Sequence, residues 1–215
     1  NATDNFLTTP MFWSKDILDE HFEGKRLIEL GSGMGGLWRG IKFMSPEEDT
    51  FAHDFGISEF VAVDLFVDPN EVWKEAQDSL RFYAPDEERR ESIRKKLTFE
   101  QRDMFGYLLE QPDNSANVMM SSVDYALIPS REYHQRVAQE IFRVVPEDGV
   151  FVMNNCPDIE DEMKKLFPFC FSLEEVASTR FYSKREICPQ VVADTKTFQF
   201  FRFLLEASQN GILEM

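Results

Sequence analysis

Four glycines lie within the six residues that follow a short apolar segment near the start of this chain. The segment 26–30 has the nearly continuous apolar character of a central parallel strand, and it runs directly into residues 31–36, GSGMGG. A helix is expected from about Leu37. Glycines between a strand and a helix let the backbone approach a ligand closely and direct amide groups toward it. The sequence therefore predicts a ligand-binding loop at the first strand–helix junction.

Short β-type segments alternate with helical segments along most of the remaining chain. We expect strands at 59–66, 97–102, 116–121 and 150–154, and helices at 70–83, 86–96, 105–110, 130–145 and 158–166. This alternation predicts a three-layer α/β sandwich with a mostly parallel sheet. Two further β-type segments, at 169–179 and 197–205, have no obvious helix between them. They predict a closing antiparallel C-terminal strand pair in a seven-stranded sheet.

A single domain over 1–215 is expected, because 43% of the 215 residues are hydrophobic and no internal repeat divides the chain. Residues 1–24 are expected to form an N-terminal arm and helix as a cap over the site, with Phe12 and Trp13 as candidates for that contact. Residues 45–58 are interpreted as an insertion in the first crossover. Both segments are expected to contribute to substrate specificity, because binding functions concentrate in such connections.

The charge balance of the chain is strongly acidic. It has 23 Lys and Arg against 39 Asp and Glu, and the formal net charge of −16 repels phosphate backbones and anionic membrane surfaces. Nucleic acid and membrane partners are therefore disfavoured, and no apolar segment approaches the roughly 20 residues of a membrane helix. The basic residues within 89–96 are interpreted as part of a solvated helix.

Cysteine usage favours a reducing environment. Cys156, Cys170 and Cys188 are too few and too scattered for a disulfide framework, and no Cys or His spacing matches a metal site. We therefore expect no metal and a cytoplasmic location.

The glycine spacing fits two nucleotide-binding patterns. Gly31, Gly33 and Gly36 satisfy the dinucleotide pattern GxGxxG, whereas Gly31, Gly33 and Gly35 with Glu29 satisfy an acidic-x-GxGxG pattern. At the end of the second predicted strand, Asp64 is expected to face the crevice where a ribose would sit, because a carboxylate is an acceptor for hydroxyl groups. The long gap between the glycines and Asp64 requires the insertion under either pattern.

The segment 29–36 resembles motif I of the class I S-adenosylmethionine-dependent methyltransferases, a Rossmann-like family, and the resemblance extends from about Lys25 to the end of the chain. It implies that Glu29 serves the methionine end of the cofactor, that Asp64 binds the ribose hydroxyls and that Leu65 contacts adenine. The loop under the cofactor would consist of Gly31, Ser32, Gly33 and Gly35. Under a pyrophosphate, the charge of Glu29 would be unfavourable, which favours this family over a dinucleotide-binding one.

The same resemblance assigns the ends of the third and fourth strands. It implies that Asp103 and Met104 recognise the adenine amino group, although Asp103 also suits the N-cap of the following helix. Ser121 is predicted to line the cofactor. Asp124 and Tyr125 are the candidate catalytic residues on the substrate side.

The fourth strand lacks the marks of several subfamilies. No NPPY-like or DPPY-like motif and no cysteine nucleophile follows it, which argues against enzymes that methylate DNA amino groups or pyrimidine carbons. His134, in the helix predicted at 130–145, is interpreted as a surface or packing residue, as most helical histidines are.

The reaction implied by the resemblance is in-line methyl transfer from S-adenosylmethionine to a small molecule or protein side chain, with S-adenosylhomocysteine as the product. Such a transfer depends on alignment and proximity more than on proton removal. Two alternatives stay open on the sequence: a nicotinamide-dependent oxidoreductase that uses GxGxxG, and a non-catalytic methyltransferase-like binding or partner module.

Overall fold

The computed structural model describes residues 20–33, 57–83, 86–121, 130–154, 156–168, 170–176 and 179–185. The strands are β1 (Arg26–Leu30), β2 (Glu59–Asp64), β3 (Leu97–Gln101), β4 (Asn117–Ser121), β5 (Val150–Asn154), β6 (Phe171–Val176) and β7 (Thr179–Lys184). The helices are α1 (Pro69–Tyr83), α2 (Glu87–Lys96), α3 (Met104–Leu109), α4 (Arg131–Val144) and α5 (Pro157–Leu166).

These strands form one seven-stranded sheet in the order β3-β2-β1-β4-β5-β7-β6. The first five strands in this order are parallel, and β7 is antiparallel to both β5 and β6. The predicted α/β fold with a mostly parallel sheet and a closing antiparallel pair is thus confirmed. Because β1 lies between β2 and β4, the ends of these three strands are neighbours.

The second strand of the closing antiparallel pair does not lie where the sequence analysis placed it. The structure places it at 179–184, directly after β6, whereas the sequence analysis placed it at 197–205, which lies outside the described residues. The predicted segment 169–179 contains the whole of β6, and its last residue is the first residue of β7. Strand β7 has only two central apolar residues, Phe181 and Tyr182, between polar ends, and this pattern was too short to be recognised.

The two faces of the sheet bury separate clusters of side chains. Leu27 of β1 packs in a cluster with Val72 and Ala76 of α1. Its neighbour Ile28 packs in a second cluster, with Val137 of α4 among its members. Because successive side chains of a strand alternate between faces, helices cover both faces of the sheet, as the three-layer prediction requires.

The starts of α2 and α4 agree with the sequence prediction because both helices have capping residues. Asp86 caps α2 by accepting a hydrogen bond from the Glu88 N–H, and Ser130 caps α4 by accepting one from the Tyr133 N–H. The cationic residues at the end of α2 are favourable near a helix C-terminus. Within the described ranges, none of the helices combines the length and apolar character that crossing a bilayer requires.

Polar side chains connect the strands at the edge of the sheet where the parallel strands begin. The Asn117 side chain donates to the His21 carbonyl (2.8 Å) and accepts from the Val150 N–H (2.9 Å). Arg26 bonds Glu59 of β2 and, through its other nitrogens, Gln111 and Tyr107. The opposite edge, where these strands end, carries the candidate site.

The sequence analysis implied that the cysteines are reduced, and this does not hold for all of them. Cys170 is disulfide-bonded, whereas Cys156 is buried and is not part of a disulfide. Disulfides are typical of oxidising compartments, so this bond removes the support that cysteine usage gave to a reducing cytoplasm. The cytoplasmic location stays a prediction.

Candidate functional site

The turn after β1 has a backbone conformation that glycine adopts without strain. Gly31 and Gly33 have positive φ angles of 67° and 54°. The N–H groups of Gly31 and Ser32 donate to the Val63 carbonyl at 2.8 and 3.2 Å, which holds the turn against the end of β2. The glycine loop therefore reaches across to the neighbouring strand. Gly35 and Gly36 lie outside the described residues.

Asp64, the last residue of β2, connects this turn to the one that follows β2. Its Oδ2 accepts a hydrogen bond from the Gly33 N–H at 2.9 Å, and its Oδ1 accepts one from the Phe66 N–H at 2.8 Å. The carboxylate is half-buried. Each carboxylate oxygen has more than one lone-pair site, so both can also accept from neighbouring ligand hydroxyls. This geometry fits the role predicted for Asp64.

Two apolar side chains extend from the turn beside Asp64. Leu65 is 48% exposed and Phe66 is 64% exposed, which is unusual for side chains of this size. The Leu65 carbonyl accepts a hydrogen bond from the Gln101 side chain at 3.3 Å, which ties the turn to the end of β3. An exposed apolar surface next to a carboxylate suits a ligand that combines an aromatic ring with hydroxyl groups.

Glu29 lies within the sheet rather than at its surface. It is 1% exposed and is paired with Ala62 of β2 and Met119 of β4, two residues before Gly31. Burying a carboxylate has a high free-energy cost, so such residues are typical of functional sites. The prediction that Glu29 serves the methionine end of a cofactor stays a prediction, and its position at the start of the glycine loop is compatible with it.

Asp103 follows β3 and has the capping role that the sequence allowed. Its Oδ1 accepts from the Gly106 N–H at 2.8 Å as the N-cap of α3, and its Oδ2 accepts from the Tyr133 hydroxyl at 2.5 Å. Burial, together with the hydrogen bond and the charge of Asp103, raises the pKa of Tyr133 far above its usual value. Tyr133 therefore stays protonated and holds α4 against the start of α3. Met104 is half-buried and packs against the core.

The remaining predicted site residues lie at the end of β4 or after it. Ser121 ends this strand and is paired with Asn154, the last residue of β5. The candidate catalytic residues Asp124 and Tyr125 lie outside the described residues. The backbone positions of Gly31, Asp64, Asp103 and Ser121 all fall at the edge where the parallel strands end, which is the edge where open α/β sheets bind ligands.

Sequence reasoning missed two residues of this region. Tyr133 was not singled out, although the spacing from its N-cap Ser130 places it in the first turn of α4. Phe66 was assigned to the second strand, but β2 ends at Asp64 and Phe66 lies in the turn. No group of three or more potential ligands is placed to hold a metal ion in the part of the chain that the structure describes.

No protein-family model matches the sequence, and no curated protein matches it. The chain is similar to a solved structure from Nostoc punctiforme provisionally named an O-methyltransferase, with 9% identity, a TM-score of 0.51, and coverage of 85% of this chain and 58% of that one. A protein from Corynebacterium glutamicum is similar at 7% identity and a TM-score of 0.50, over 86% of this chain and 87% of that one.

A third similar structure is phosphoethanolamine N-methyltransferase 1 from Haemonchus contortus, in complex with phosphoethanolamine and S-adenosylhomocysteine. Its identity to this chain is 14%, its TM-score is 0.43, and the match covers 71% of this chain and 26% of the Haemonchus enzyme. This chain thus spans less than two thirds of the length of that enzyme and of the Nostoc protein. At these identities the comparisons concern the fold.

Proposed function

We propose that this chain, which has the fold of the class I S-adenosylmethionine-dependent methyltransferases, transfers a methyl group from S-adenosylmethionine to an acceptor. The observation that carries the proposal is the hydrogen bond between Gly33 and Asp64, at the junction of β1 and β2. It places a glycine loop with positive φ angles beside a half-buried carboxylate, at the ligand-binding edge of the sheet.

The described residues fit the cofactor at three of its parts. Asp64 has lone pairs for two ribose hydroxyls, and the exposed Leu65 offers an apolar surface for adenine. The buried Glu29 supplies a negative charge near the start of the glycine loop, which suits the ammonium group of the methionine part. Asp103, Met104 and Ser121 complete the proposed cofactor contacts, together with Gly31, Ser32, Gly33 and Gly35.

When bound, the cofactor supplies a methyl group attached to a positively charged sulfur. The chain contributes alignment of the acceptor with that methyl group, exclusion of water and a negative electrostatic environment. The formal net charge of −16 favours a positively charged ligand in general, and the Glu29 carboxylate does so locally.

The buried carboxylate of Glu29 also argues against the dinucleotide alternative. A pyrophosphate on the glycine loop would lie near this negative charge in a region of low dielectric, where repulsion is strong. The acidic balance of the chain favours a small molecule or a protein side chain as the methyl acceptor over nucleic acid, whose backbone it repels.

Calorimetry on the full chain tests the proposed cofactor. S-Adenosylmethionine and S-adenosylhomocysteine are expected to bind, and NAD is expected not to bind. Binding of NAD alone would support the oxidoreductase alternative and refute the proposal. If none of the three compounds bound, the proposal would also be refuted.

A transfer assay then separates an enzyme from a binding module. The chain is incubated with methyl-tritiated S-adenosylmethionine and two acceptor pools, one of small metabolites and one of proteins, and the label is counted in each. Incorporation above that of a heat-inactivated control in either pool supports methyl transfer and identifies the acceptor class. Binding without incorporation in either pool would favour the non-catalytic module.

A further inference from the structure

His134 lies in the middle of the face that α4 turns toward the sheet. Three buried residues of this face, Val137, Ala138 and Ile141, follow it at spacings of three, four and seven residues, which is the helical repeat. The sequence analysis interpreted His134 as a surface or packing residue. Its position in this row agrees with a packing role, but its side chain is polar, whereas the other three are apolar.

Contacts on both sides of His134 fix this orientation of α4. On one side, the Tyr133 hydroxyl donates to Asp103 at the start of α3. On the other side, Arg131 and Gln135 donate to Glu162 of α5 at 3.0 and 2.8 Å. His134 therefore lies between the two flanking helices and faces the sheet.

His134 is also at the height where β4 ends. The Val144 carbonyl at the end of α4 accepts from the Ser115 N–H at 2.7 Å, just before β4. His134 is ten residues before Val144, about 15 Å along the helix. Met120 is five residues after Ser115, about 16 Å along an extended chain. The two lengths are similar, which puts the backbone of His134 near the height at which β4 ends, at the ligand-binding edge.

The Nε2 atom of His134 is buried and, among the residues that the structure describes, has no hydrogen-bond partner. Buried polar atoms are almost always paired, because leaving one unpaired is unfavourable. An apolar residue in this row would avoid that penalty. The Nε2 atom can therefore form one hydrogen bond with a ligand, at the edge of the sheet where Asp64 and Asp103 also lie.

We propose that His134 is the residue that contacts the methyl acceptor, and that the acceptor is a hydroxyl or amino compound. The inference rests on the proposed methyltransferase function. The Nε2 atom accepts a hydrogen bond from the nucleophile. As the nucleophile's lone pair forms the bond to the methyl carbon, the carbon–sulfur bond breaks with its electrons retained by sulfur, and the nucleophile's proton passes to Nε2.

Histidine NMR on the full chain tests the position of this group, because the sequence has only three histidines. The ring signals of His134, identified by their loss in His134→Gln, are followed during titration with S-adenosylmethionine and S-adenosylhomocysteine. We expect them to move and to differ between the two saturated complexes, because one ligand carries a charged sulfur and a methyl group and the other does not.

His21 serves as the internal control. It is buried and stacked on Phe181, and its carbonyl is bonded to the first residue of β4, at the opposite edge of the sheet. Its signals are expected to be the same in both complexes. Saturation by calorimetry without any change at His134 would overturn the inference and leave the proposed function standing. Failure of both ligands to bind would overturn the proposed function itself.

Kinetics of His134→Gln add a readout that a packing role would not produce. Glutamine keeps a polar side chain but cannot take up a proton. We expect kcat in the transfer assay to fall about 100-fold, as for loss of a general base. The KM for S-adenosylmethionine is expected to stay within about threefold, because Nε2 is assigned to the acceptor. An unchanged kcat in a variant with wild-type Tm would refute the assignment.

Discussion

The Asp64 carboxylate accepts a hydrogen bond from the backbone N–H of Gly33 at 2.9 Å, which joins the turn after β1 to the end of β2. Its other oxygen binds the Phe66 N–H. One side chain thus orders both turns at the proposed cofactor site. Its removal should affect the glycine loop as well as the ligand contacts.

Asp64→Asn tests this double role. The amide that replaces one oxygen cannot accept a hydrogen bond, and the charge is lost, so one turn and one ribose hydroxyl lose their acceptor. Hydrogen bonds to a charged group contribute about 1.5–3 kcal/mol each, which corresponds to a fall in affinity for S-adenosylhomocysteine of about 10–100-fold. Calorimetry measures the change. Asp86→Asn is the matched control, because asparagine also caps α2 there, and its affinity should equal that of the wild type.

A pair of alanine substitutions separates backbone strain from ligand binding. Gly33 and Gly24 have positive φ angles of 54° and 70°, and no atom of the described residues lies within 4 Å of a β-carbon added at either position. Alanine should therefore lower the free energy of unfolding by about 1–2 kcal/mol at either position, through strain alone. Only Gly33→Ala should weaken S-adenosylhomocysteine binding, because Gly24 precedes β1. Equal affinities of the two variants would contradict the role of the Gly33 turn.

The sequence predicted those parts of the fold whose signals are local. Strand β1 is a buried apolar run, and α2 and α4 start at capping residues, so their bounds agree with the structure within a residue. Strand β7 was missed because its place in the sheet depends on pairing with β5 and β6 rather than on its own pattern. For Asp103 the sequence allowed capping, but the Tyr133 contact depends on the packing of α4 beside α3, which no local pattern encodes.

Glu160 of α5 gives the chain a defined acid sensitivity. The buried carboxylate accepts hydrogen bonds from Tyr182 and Lys164, both at 2.5 Å, and forms an ion pair with Arg180. Burial by itself raises the pKa of Glu160, but the hydrogen bonds from Lys164 and Tyr182 and the charges of Lys164 and Arg180 outweigh it and lower the pKa below the ordinary 4.5. The stability from this group is therefore present above about pH 4.5 and is lost as the pH falls through the lower folded value.

Glu160→Gln should accordingly flatten the loss of stability below pH 4.5, because glutamine does not titrate. Urea denaturation at several pH values between neutral and acid gives the two profiles. Glu132→Gln is the control, since Glu132 pairs with Arg136 on the exposed surface of α4. The inference would be wrong if Glu132→Gln changed the acid profile as much as Glu160→Gln did.

Gly149 is expected to tolerate no side chain. A β-carbon there would lie 2.5 Å from Cδ of Pro146 and 2.8 Å from Oδ1 of Asn117, which is well inside van der Waals contact. Gly149→Ala should lower the free energy of unfolding by about 1–3 kcal/mol, as overpacking does. Gly106→Ala in α3 should instead raise it by about 0.5–1 kcal/mol, because alanine favours helix and the nearest atom is 3.6 Å away. Chemical denaturation of both variants provides the comparison.

The cysteine states are open to direct chemical measurement. Cys170 is disulfide-bonded, whereas Cys156 is not part of a disulfide and is 2% exposed. Protein that is denatured without a reductant should take up an alkylating reagent at Cys156 and not at Cys170, and native protein should react slowly at Cys156 because of its burial. Peptide mapping by mass spectrometry identifies the labelled residues. Alkylation of Cys170 in the unreduced sample would contradict the disulfide.

The Asn117 amide ties the carbonyl of residue 21 and the backbone of β5 to the start of β4. Those contacts lie at the opposite edge of the sheet from Asp64 and Gly33. Under the proposed function, sequence changes in the connections at the Asp64 edge can therefore alter the choice of acceptor while the contacts of Asn117 at the opposite edge are preserved. We therefore expect variants selected by directed evolution for a new acceptor to keep most of the thermal stability of the parent protein.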